Sequence, residues 1–176
     1  VELLDQLDID RIVVAGGSAG ALSAAAFARR HPERCAALVL LVPATNLGDA
    51  DPVRMTGWQK ALVRQMAGSD FLYWSARKLA RDRLIATLLA TDPALYSAAG
   101  AAEQERVDRI LDTMLPISLR TEGMLNDGMQ AGSPVTFDYA AIRVPTLIIS
   151  VEDDRFGTAA TSRRLAGMIQ HSRLVI

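Results

Sequence analysis

The sequence predicts an α/β fold, with a doubly wound and mostly parallel sheet into which a helical segment is inserted. Helical and strand patterns alternate over residues 1–43 and again over residues 140–176, as they do in chains that form parallel sheets flanked by helices. The stretch Ala36–Val42 is apolar at every position, which indicates a strand covered on both faces. Over residues 44–139 amphipathic helical patterns replace the strand pattern. We therefore expect two core segments separated by a helical insertion.

Periodicity and chain breakers define the individual elements. In the core segments we expect, in chain order, a helix over Val1–Leu7, a strand over Arg11–Ala15, a helix over Ala19–Arg30, the strand over Ala36–Val42, a strand over Val144–Ser150, a helix over Thr158–Ile169 and the start of a strand at Ser172. In the insertion, glycine and proline breaks separate helices over Gly57–Met66, Phe71–Ala90, Ala102–Leu115 and Ser118–Gln130.

A serine lies at the first strand-to-helix turn, in Gly16-Gly17-Ser18-Ala19-Gly20. Such a turn lifts a side chain clear of both elements, and it bends sharply only where the residues two before and two after the serine lack bulky side chains. Gly16 and Gly20 meet this requirement. The first free N–H groups of the following helix, with Ala19 next to the serine, can stabilise an oxyanion. The turn therefore predicts a nucleophile at Ser18.

A glycine-rich turn can also hold the phosphates of a dinucleotide. The pattern Gly-x-Gly-x-x-Gly is reduced here to Ala15-x-Gly17-x-x-Gly20. The next strand ends in Pro43-Ala44-Thr45, where an acidic ribose-binding residue is expected, and a phosphate-loop lysine is also missing. These departures favour the nucleophile over a dinucleotide or flavin site, so we expect no cofactor.

An acidic turn, Glu152-Asp153-Asp154, follows the strand of the second core segment. Functional groups of parallel sheets collect at the carboxyl ends of the strands, so we expect this turn and Ser18 at the same edge. A serine hydroxyl needs a base to take its proton, and the base needs a carboxylate to orient it. The turn can supply that carboxylate; alternatively it is a solvated loop, or the cap of the helix that begins near Thr158.

Composition argues against several classes of protein. The 176 residues are 50% hydrophobic and carry a formal net charge of −1, which suits one main domain and no nucleic-acid partner, because phosphate binding requires clustered Lys and Arg. The longest strongly apolar strand run, Cys35–Pro43, is too short to span a membrane. The single cysteine, Cys35, fits a core position and a reducing, cytoplasmic compartment.

Taken together, these segments resemble the α/β-hydrolase family over most of the chain. The elbow Gly16–Gly20 is similar to the family's nucleophile turn, and Ala28–Arg34 with the strand after it is similar to the segment that follows that turn. Val144–Ile149 is similar to the strand that leads to the acid of the catalytic triad. Gly17 and Ala19 replace the histidine and methionine that many members carry beside the nucleophile, but the Ala19 N–H is retained.

The resemblance also implies which carboxylate is the triad acid. The family usually has Gly-x-x-Asp after that strand; here Val151 takes the glycine position, which makes Asp154 the acid and leaves Asp153 as the alternative. The sequence Asp154-Arg155-Phe156 resembles members that hydrolyse carbon–carbon bonds of aromatic ring-cleavage products.

The resemblance explains the helical insertion as well. Family members insert a helical cap after the strand that follows the nucleophile helix, and the cap roofs the pocket and sets substrate choice. Residues 44–139 are then the cap, between core parts 1–43 and 140–176. Its plausible pocket residues are Trp58, Trp74 and Met124.

The family's catalytic base is a histidine that follows one more strand after the acid. His31 ends the nucleophile helix and His171 precedes the last strand, so we expect both to be helix-end or surface residues. We expect the base beyond Ile176, and the loop that donates the second oxyanion N–H before Val1. Residues 1–176 alone are therefore expected to be inactive and poorly stable.

The activity that the resemblance implies is hydrolysis of an ester or related carbonyl bond of a small-molecule substrate. It proceeds through an acyl-enzyme on Ser18, with Asp154 as the acid and no metal or cofactor. A carbon–carbon bond hydrolase and a cofactor-free haloperoxidase-like enzyme are alternatives that use the same triad. A non-catalytic member that only binds a small ligand is an alternative of another class. The sequence leaves the oligomeric state open.

Overall fold

The computed structural model divides the chain into two compact units. The sheet unit comprises Val1–Pro52, Gln130–Glu152 and Gly157–Ile176, and the helical unit comprises Val53–Met129 and Asp153–Phe156. The residues that the structure describes are 1–44, 47, 64–65, 67–132 and 137–176.

Helices and strands alternate in the sheet unit, and helices with their connections make up the described part of the helical unit. In chain order the elements are α1 (Glu2–Gln6), β1 (Ile12–Gly17), α2 (Gly20–Arg30), β2 (Cys35–Leu41), α3 (Asp70–Leu79), α4 (Arg81–Leu88), α5 (Pro93–Ala98), α6 (Ala101–Thr113), α7 (Thr121–Ala131), β3 (Thr146–Ile149), α8 (Thr158–Met168) and β4 (Ser172–Val175). Short 3-10 turns over Ile117–Leu119 and Tyr139–Ala141 precede α7 and β3.

The four strands form one parallel sheet in the order β1-β2-β3-β4, which confirms the predicted fold class. The register aligns Val14 with Leu38 and Leu40 with Ile148, so these residues share one face of the sheet. Because all strands run in the same direction, their carboxyl ends lie at one edge, which we call the carboxyl edge.

The shared face carries the core of the sheet unit. Leu38, Leu40 and Ile148 are fully buried and pack in one cluster with residues of α2 and α8. The buried side of α2 consists of alanines, which let this helix lie close to the strands, whereas α8 contributes Leu165. Each buried Leu or Ile stabilises the fold by roughly 1.5–3 kcal/mol.

The opposite face of the sheet is less buried than the core face, most of all on the two edge strands. Val13 on β1 is 61% exposed and Val175 on β4 is 43% exposed. In β2, whose apolar pattern predicts cover on both faces, Ala37 and Val39 on this opposite face are half-buried and Leu41 is exposed. The apolar pattern is a property of the strands themselves, whereas their cover depends on which other elements pack on them.

The helical unit differs from the prediction at two chain breaks. The pattern over Phe71–Ala90 predicts one helix, but Ala80 has φ −142° and ψ 38° and separates α3 from α4. At Asp92-Pro93 the carboxylate accepts the N–H of Ala94 at 2.9 Å, and proline occupies the first turn of α5. This break therefore starts a helix, as proline at a first helical position favours.

The remaining helices of the insertion follow the predicted pattern, and polar contacts join them. α6 and α7 correspond to the predicted third and fourth helices. Asp108 of α6 forms ion pairs with Arg77 of α3 and Arg81 of α4, and the Tyr96 hydroxyl of α5 donates to the same carboxylate. The predicted helix Gly57–Met66 lies almost entirely outside the described residues, as does Trp58.

Candidate active site

Ser18 directly follows β1 at the carboxyl edge, and its backbone is in the left-handed region with φ +49°. Its N–H donates to the Leu41 carbonyl at 2.9 Å, and its carbonyl accepts the N–H groups of Ala21 and Ala44 at 3.1 and 3.0 Å. A non-glycine residue adopts this conformation only where its surroundings hold it. The three hydrogen bonds hold Ser18 in this conformation, and the residue is exposed.

The two glycines of the elbow have different steric roles. A Cβ atom on Gly16 would lie 2.4 Å from the Gly20 carbonyl oxygen and 2.8 Å from the Ala21 Cα, so no side chain fits there. A Cβ atom on Gly20 would meet no atom within 4 Å. The sequence analysis expected both glycines to be needed for lack of a side chain, and this expectation is corrected. Only Gly16 is needed for that reason, because it lies against the backbone of Gly20.

Ala19 is the residue whose N–H follows the serine into the helix. The N–H groups of Ala21 and Leu22 donate to the carbonyls of Ser18 and Ala19, both at 3.1 Å. The N–H groups of Ala19 and Gly20 precede these two donors, and the first N–H groups of a helix have no acceptor within the helix itself. Such groups attract negative charge beside the Ser18 side chain.

The acidic turn begins at the same edge as Ser18. The strand ladder continues past the strands here: Val42 N–H donates to Ile149 at 2.7 Å, and Ser150 N–H donates to Val175 at 2.9 Å. Ser18 borders the end of β2, and Ser150 follows β3. β1, which Ser18 follows, and β3 lie two strand spacings apart in the sheet, which corresponds to about 10 Å.

The three carboxylates of the turn have different surroundings. Glu152 forms an ion pair with Arg163 at 2.6 Å, so its charge is already compensated. Asp153 is exposed, whereas Asp154 is half-buried. Arg155 donates its N–H to the Ala90 carbonyl at 2.8 Å within the helical unit. Burial favours Asp154 over Asp153 as an orienting acid, and its pairing with a base beside Ser18 stays a prediction.

Both histidines lie at the other end of the strands. His31 ends α2 before β2, packs on the Phe27 ring at 5.3 Å and lies 3.8 Å from the Glu33 carboxylate. The carbonyl of His171 accepts the Thr146 N–H at 2.8 Å, at the amino end of β3. The length of β2 alone corresponds to about 20 Å, so neither imidazole reaches Ser18.

The sequence reasoning missed two hydroxyl residues that flank the acidic turn. Ser150 and Thr158 are both buried, and their hydroxyl oxygens lie 2.8 Å apart. A small hydroxyl residue at each end of a loop that carries a candidate acid is a visible signal in the sequence. Whether the two hydroxyls meet depends on how the loop folds back.

Other candidate chemistry in the described residues is limited. Cys35 is fully buried, and burial raises the pKa of its thiol, which disfavours the reactive thiolate. Among the described residues no three His, Cys, Asp or Glu side chains form a group that could hold a metal ion. The part of the chain that the structure describes contains no helix that is long and apolar enough to cross a membrane.

The fold and the serine elbow define an α/β-hydrolase. Residues 3–175 match the sequence model of a hydrolase family described as "Serine aminopeptidase, S33". The chain therefore belongs to this family of α/β-hydrolases.

A curated relative and several solved structures are similar to this chain. It is 28% identical over 179 residues to the 2-hydroxy-6-oxononadienedioate/2-hydroxy-6-oxononatrienedioate hydrolase of Paraburkholderia xenovorans (strain LB400), a match that covers 99% of this chain and 56% of that protein. A probable hydrolytic enzyme from Pseudomonas aeruginosa PAO1 superposes with TM-score 0.61 at 22% identity, over 99% of this chain and 58% of the other. For the meta-cleavage product hydrolase from Pseudomonas fluorescens IP01 the TM-score is 0.58 at 22% identity, with 98% and 58% covered. The chain thus spans little more than half the length of these relatives.

Proposed function

We propose that the full-length protein is a serine hydrolase that cleaves an ester or related carbonyl bond through an acyl-enzyme on Ser18. The observation that carries this proposal is the left-handed, exposed serine at the carboxyl edge of the sheet, directly before the amino terminus of α2. In this position a substrate carbonyl can contact the hydroxyl and the Ala19 N–H together.

The proposed reaction has two steps. Ser18 Oγ attacks the carbonyl carbon while a histidine outside residues 1–176 takes the hydroxyl proton, and Asp154 orients that histidine. The oxyanion is stabilised by the Ala19 N–H. When the oxyanion collapses, the bond to the leaving group breaks and the histidine returns the proton to that group. Water then attacks the acyl-enzyme by the same route and releases the acid product and free Ser18.

A carbon–carbon bond hydrolase is the second candidate, and two observations favour it. The curated relative is named 2-hydroxy-6-oxononadienedioate/2-hydroxy-6-oxononatrienedioate hydrolase, and the sequence Asp154-Arg155-Phe156 after β3 resembles members of the family that hydrolyse carbon–carbon bonds. In this reaction the leaving group is a carbon, which must accept a proton as the carbon–carbon bond breaks. The same serine, base and acid serve both reactions.

We further propose that residues 44–139 act as a cap that selects the substrate, and that the substrate is a small molecule. Trp74 and Met124 are exposed side chains of the helical unit, which is compatible with a role in binding. A chimera in which the cap of another member replaces residues 44–139 should preserve turnover of a small activated ester. Its preference among larger acyl groups should change. A cytoplasmic location remains a prediction based on Cys35.

The serine assignment is tested by Ser18→Ala in the full-length protein, with Ser23→Ala as the matched control. Ser23 is an exposed serine of α2, the helix that follows Ser18. We expect Ser18→Ala to lower kcat for a p-nitrophenyl ester on the order of a million-fold, and Ser23→Ala to leave it unchanged. Mass spectrometry of the wild type should show an acyl adduct on the peptide that contains Ser18. Turnover by Ser18→Ala within a few-fold of wild type would refute the proposal.

The two candidate reactions are distinguished by measuring kcat/KM of the full-length protein with an activated ester and with a 2-hydroxy-6-oxo dienoate. A carbon–carbon hydrolase should turn over the dienoate with a much higher kcat/KM than the ester. An esterase should show the reverse order. Equal loss of both activities in Ser18→Ala would show that one site performs them.

A further inference from the structure

A buried pair of hydroxyls closes the base of the turn that carries Asp154. Ser150 directly follows β3, Thr158 is the first residue of α8, and their oxygens lie 2.8 Å apart. The two residues are 2% and 8% exposed. We propose that Ser150 and Thr158 are positioning residues, which fix the turn over residues 151–157 so that Asp154 holds the catalytic histidine in its productive orientation. This inference rests on the proposed function.

Each member of the pair is itself anchored in the sheet unit. The Ser150 N–H donates to the Val175 carbonyl at 2.9 Å, which ties Ser150 to the end of β4. Thr158 begins α8, whose Leu165 is fully buried in the core cluster of the sheet unit. The hydroxyl pair therefore joins two fixed elements, and it sets the distance between the two ends of the acidic turn.

Burial of both hydroxyls makes the loss of this hydrogen bond costly, which restricts the conformations of the turn. A hydrogen bond between two buried hydroxyls is screened little by water, so its loss is costly, and this cost favours the arrangement that keeps the two groups bonded. A turn whose ends are held at a fixed separation has fewer accessible conformations than one with free ends. Gly157, with φ +67°, completes the turn into α8 in a region that favours glycine.

Loss of the pair should affect chemistry more than substrate binding. A carboxylate beside an imidazole favours the protonated form and raises the imidazole pKa. If the turn shifts, Asp154 moves away, the histidine pKa falls and its orientation is lost. The acidic limb of kcat/KM against pH then moves to lower pH while kcat decreases. A purely structural hydroxyl pair would change stability and leave this limb in place.

The test measures kcat, KM and the pH profile of the full-length protein with an activated ester. Thr158→Val removes the hydroxyl and keeps the shape, and Thr158→Ser keeps the hydroxyl. Thr146→Val is the matched control, because Thr146 is a buried threonine at the other end of β3 whose hydroxyl donates to the Val144 carbonyl at 3.0 Å. Melting temperatures are measured for all variants.

We expect Thr158→Val to lower kcat by about 10- to 100-fold, as for a displacement on the order of 1 Å at a catalytic group. KM should stay near the wild-type value, and the acidic limb should shift to lower pH. Thr158→Ser and Thr146→Val should retain the wild-type kcat and pH limb. Wild-type behaviour of Thr158→Val, or equal losses in Thr146→Val, would overturn the inference.

Ser150→Ala provides the second variant and is used in the same comparison if Thr158→Val does not fold. Because both changes remove the same hydrogen bond between the two hydroxyls, their losses of kcat should not add fully in the double variant. Fully additive losses would contradict a shared bond.

Retained activity in Ser18→Ala refutes the proposed function, whereas loss of activity in Ser18→Ala with no effect of Thr158→Val refutes only the positioning role.

Discussion

The position of a Cβ atom on Gly16 lies 2.4 Å from the carbonyl oxygen of Gly20. This approach lets β1 turn directly into α2, with Ser18 between them in a left-handed conformation. The elbow therefore depends on a contact between two backbones across the serine, in which one side must lack a side chain.

Gly16→Ala should open the elbow, and Gly20→Ala should preserve it. Because the added methyl on Gly16 meets backbone that cannot move aside, we expect a loss of about 1–3 kcal/mol in the free energy of unfolding, together with most of the esterase activity. Gly20→Ala has open space, and alanine favours a helix over glycine by up to about 1 kcal/mol. Urea unfolding of both variants of the full-length protein checks this. Equal destabilisation by the two changes would contradict the assignment.

Asp154→Asn should lower kcat by about 10⁴-fold, because the amide no longer orients and stabilises the histidine in its charged form. Asp153→Asn is the matched control: this residue is adjacent and exposed, and we expect activity close to wild type. Steady-state kinetics with an activated ester measures both. The reverse result would move the triad acid to Asp153.

Ser162→Ala should stabilise the protein. The Ser162 side chain is fully buried on α8, and its hydroxyl has no hydrogen-bond partner within the described part of the chain. Removal of an unpaired buried hydroxyl should raise the free energy of unfolding by about 1 kcal/mol or more. Ser23→Ala, an exposed serine-to-alanine change on α2, controls for helix propensity, which is worth about 0.5 kcal/mol. Destabilisation by Ser162→Ala would show that the hydroxyl is bonded.

Tyr73→Phe should destabilise the helical unit. The buried Tyr73 hydroxyl donates to the Leu111 carbonyl at 2.7 Å and links α3 to α6, so its loss should cost about 1–3 kcal/mol. Thr87→Val is the control, because the Thr87 hydroxyl also donates to a backbone carbonyl, that of Arg83, but is exposed to water. We expect a change within about 0.5 kcal/mol for the control. Urea unfolding measures both changes.

The free energy of unfolding should also depend on pH through Tyr73. Burial raises the pKa of Tyr73 above its ordinary value, which is about 10. The unfolded chain therefore ionises first as pH rises, and the stabilisation that is present below about pH 10 decreases until the folded phenol also ionises. The wild type should lose stability over this range more steeply than Tyr73→Phe. Parallel curves would contradict the raised pKa.

Sequence patterns predicted most elements of the sheet unit because these patterns are local. β2 extends over Cys35–Leu41 where Ala36–Val42 was expected, and α8 ends one residue before the predicted Ile169. The break of the predicted helix Phe71–Ala90 was missed, since nothing in the residue types around Ala80 marks an interruption. The assignment of residues 44–139 as a cap stays a prediction.

The candidate site was predictable as far as chain direction determines it. A parallel sheet brings the residues after β1 and β3 to one edge, so Ser18 and Ser150 lie on the same side, whereas the position of Asp154 beside Ser18 stays a prediction. The same rule places His31 and His171 at the opposite edge, because both precede strands. Arg163 beside Glu152 and the burial of Asp154 could not be read from the sequence.

By itself, the sequence determined the fold class, the order of the strands along the chain and the serine turn, because apolar periodicity and glycine spacing act over a few neighbouring residues. Only the tertiary structure decided that Gly16 rather than Gly20 must lack a side chain. It also decided that Ser150 meets Thr158, and that one face of the sheet is covered by α2 and α8. These features depend on distances between residues that come together only when the chain folds back on itself.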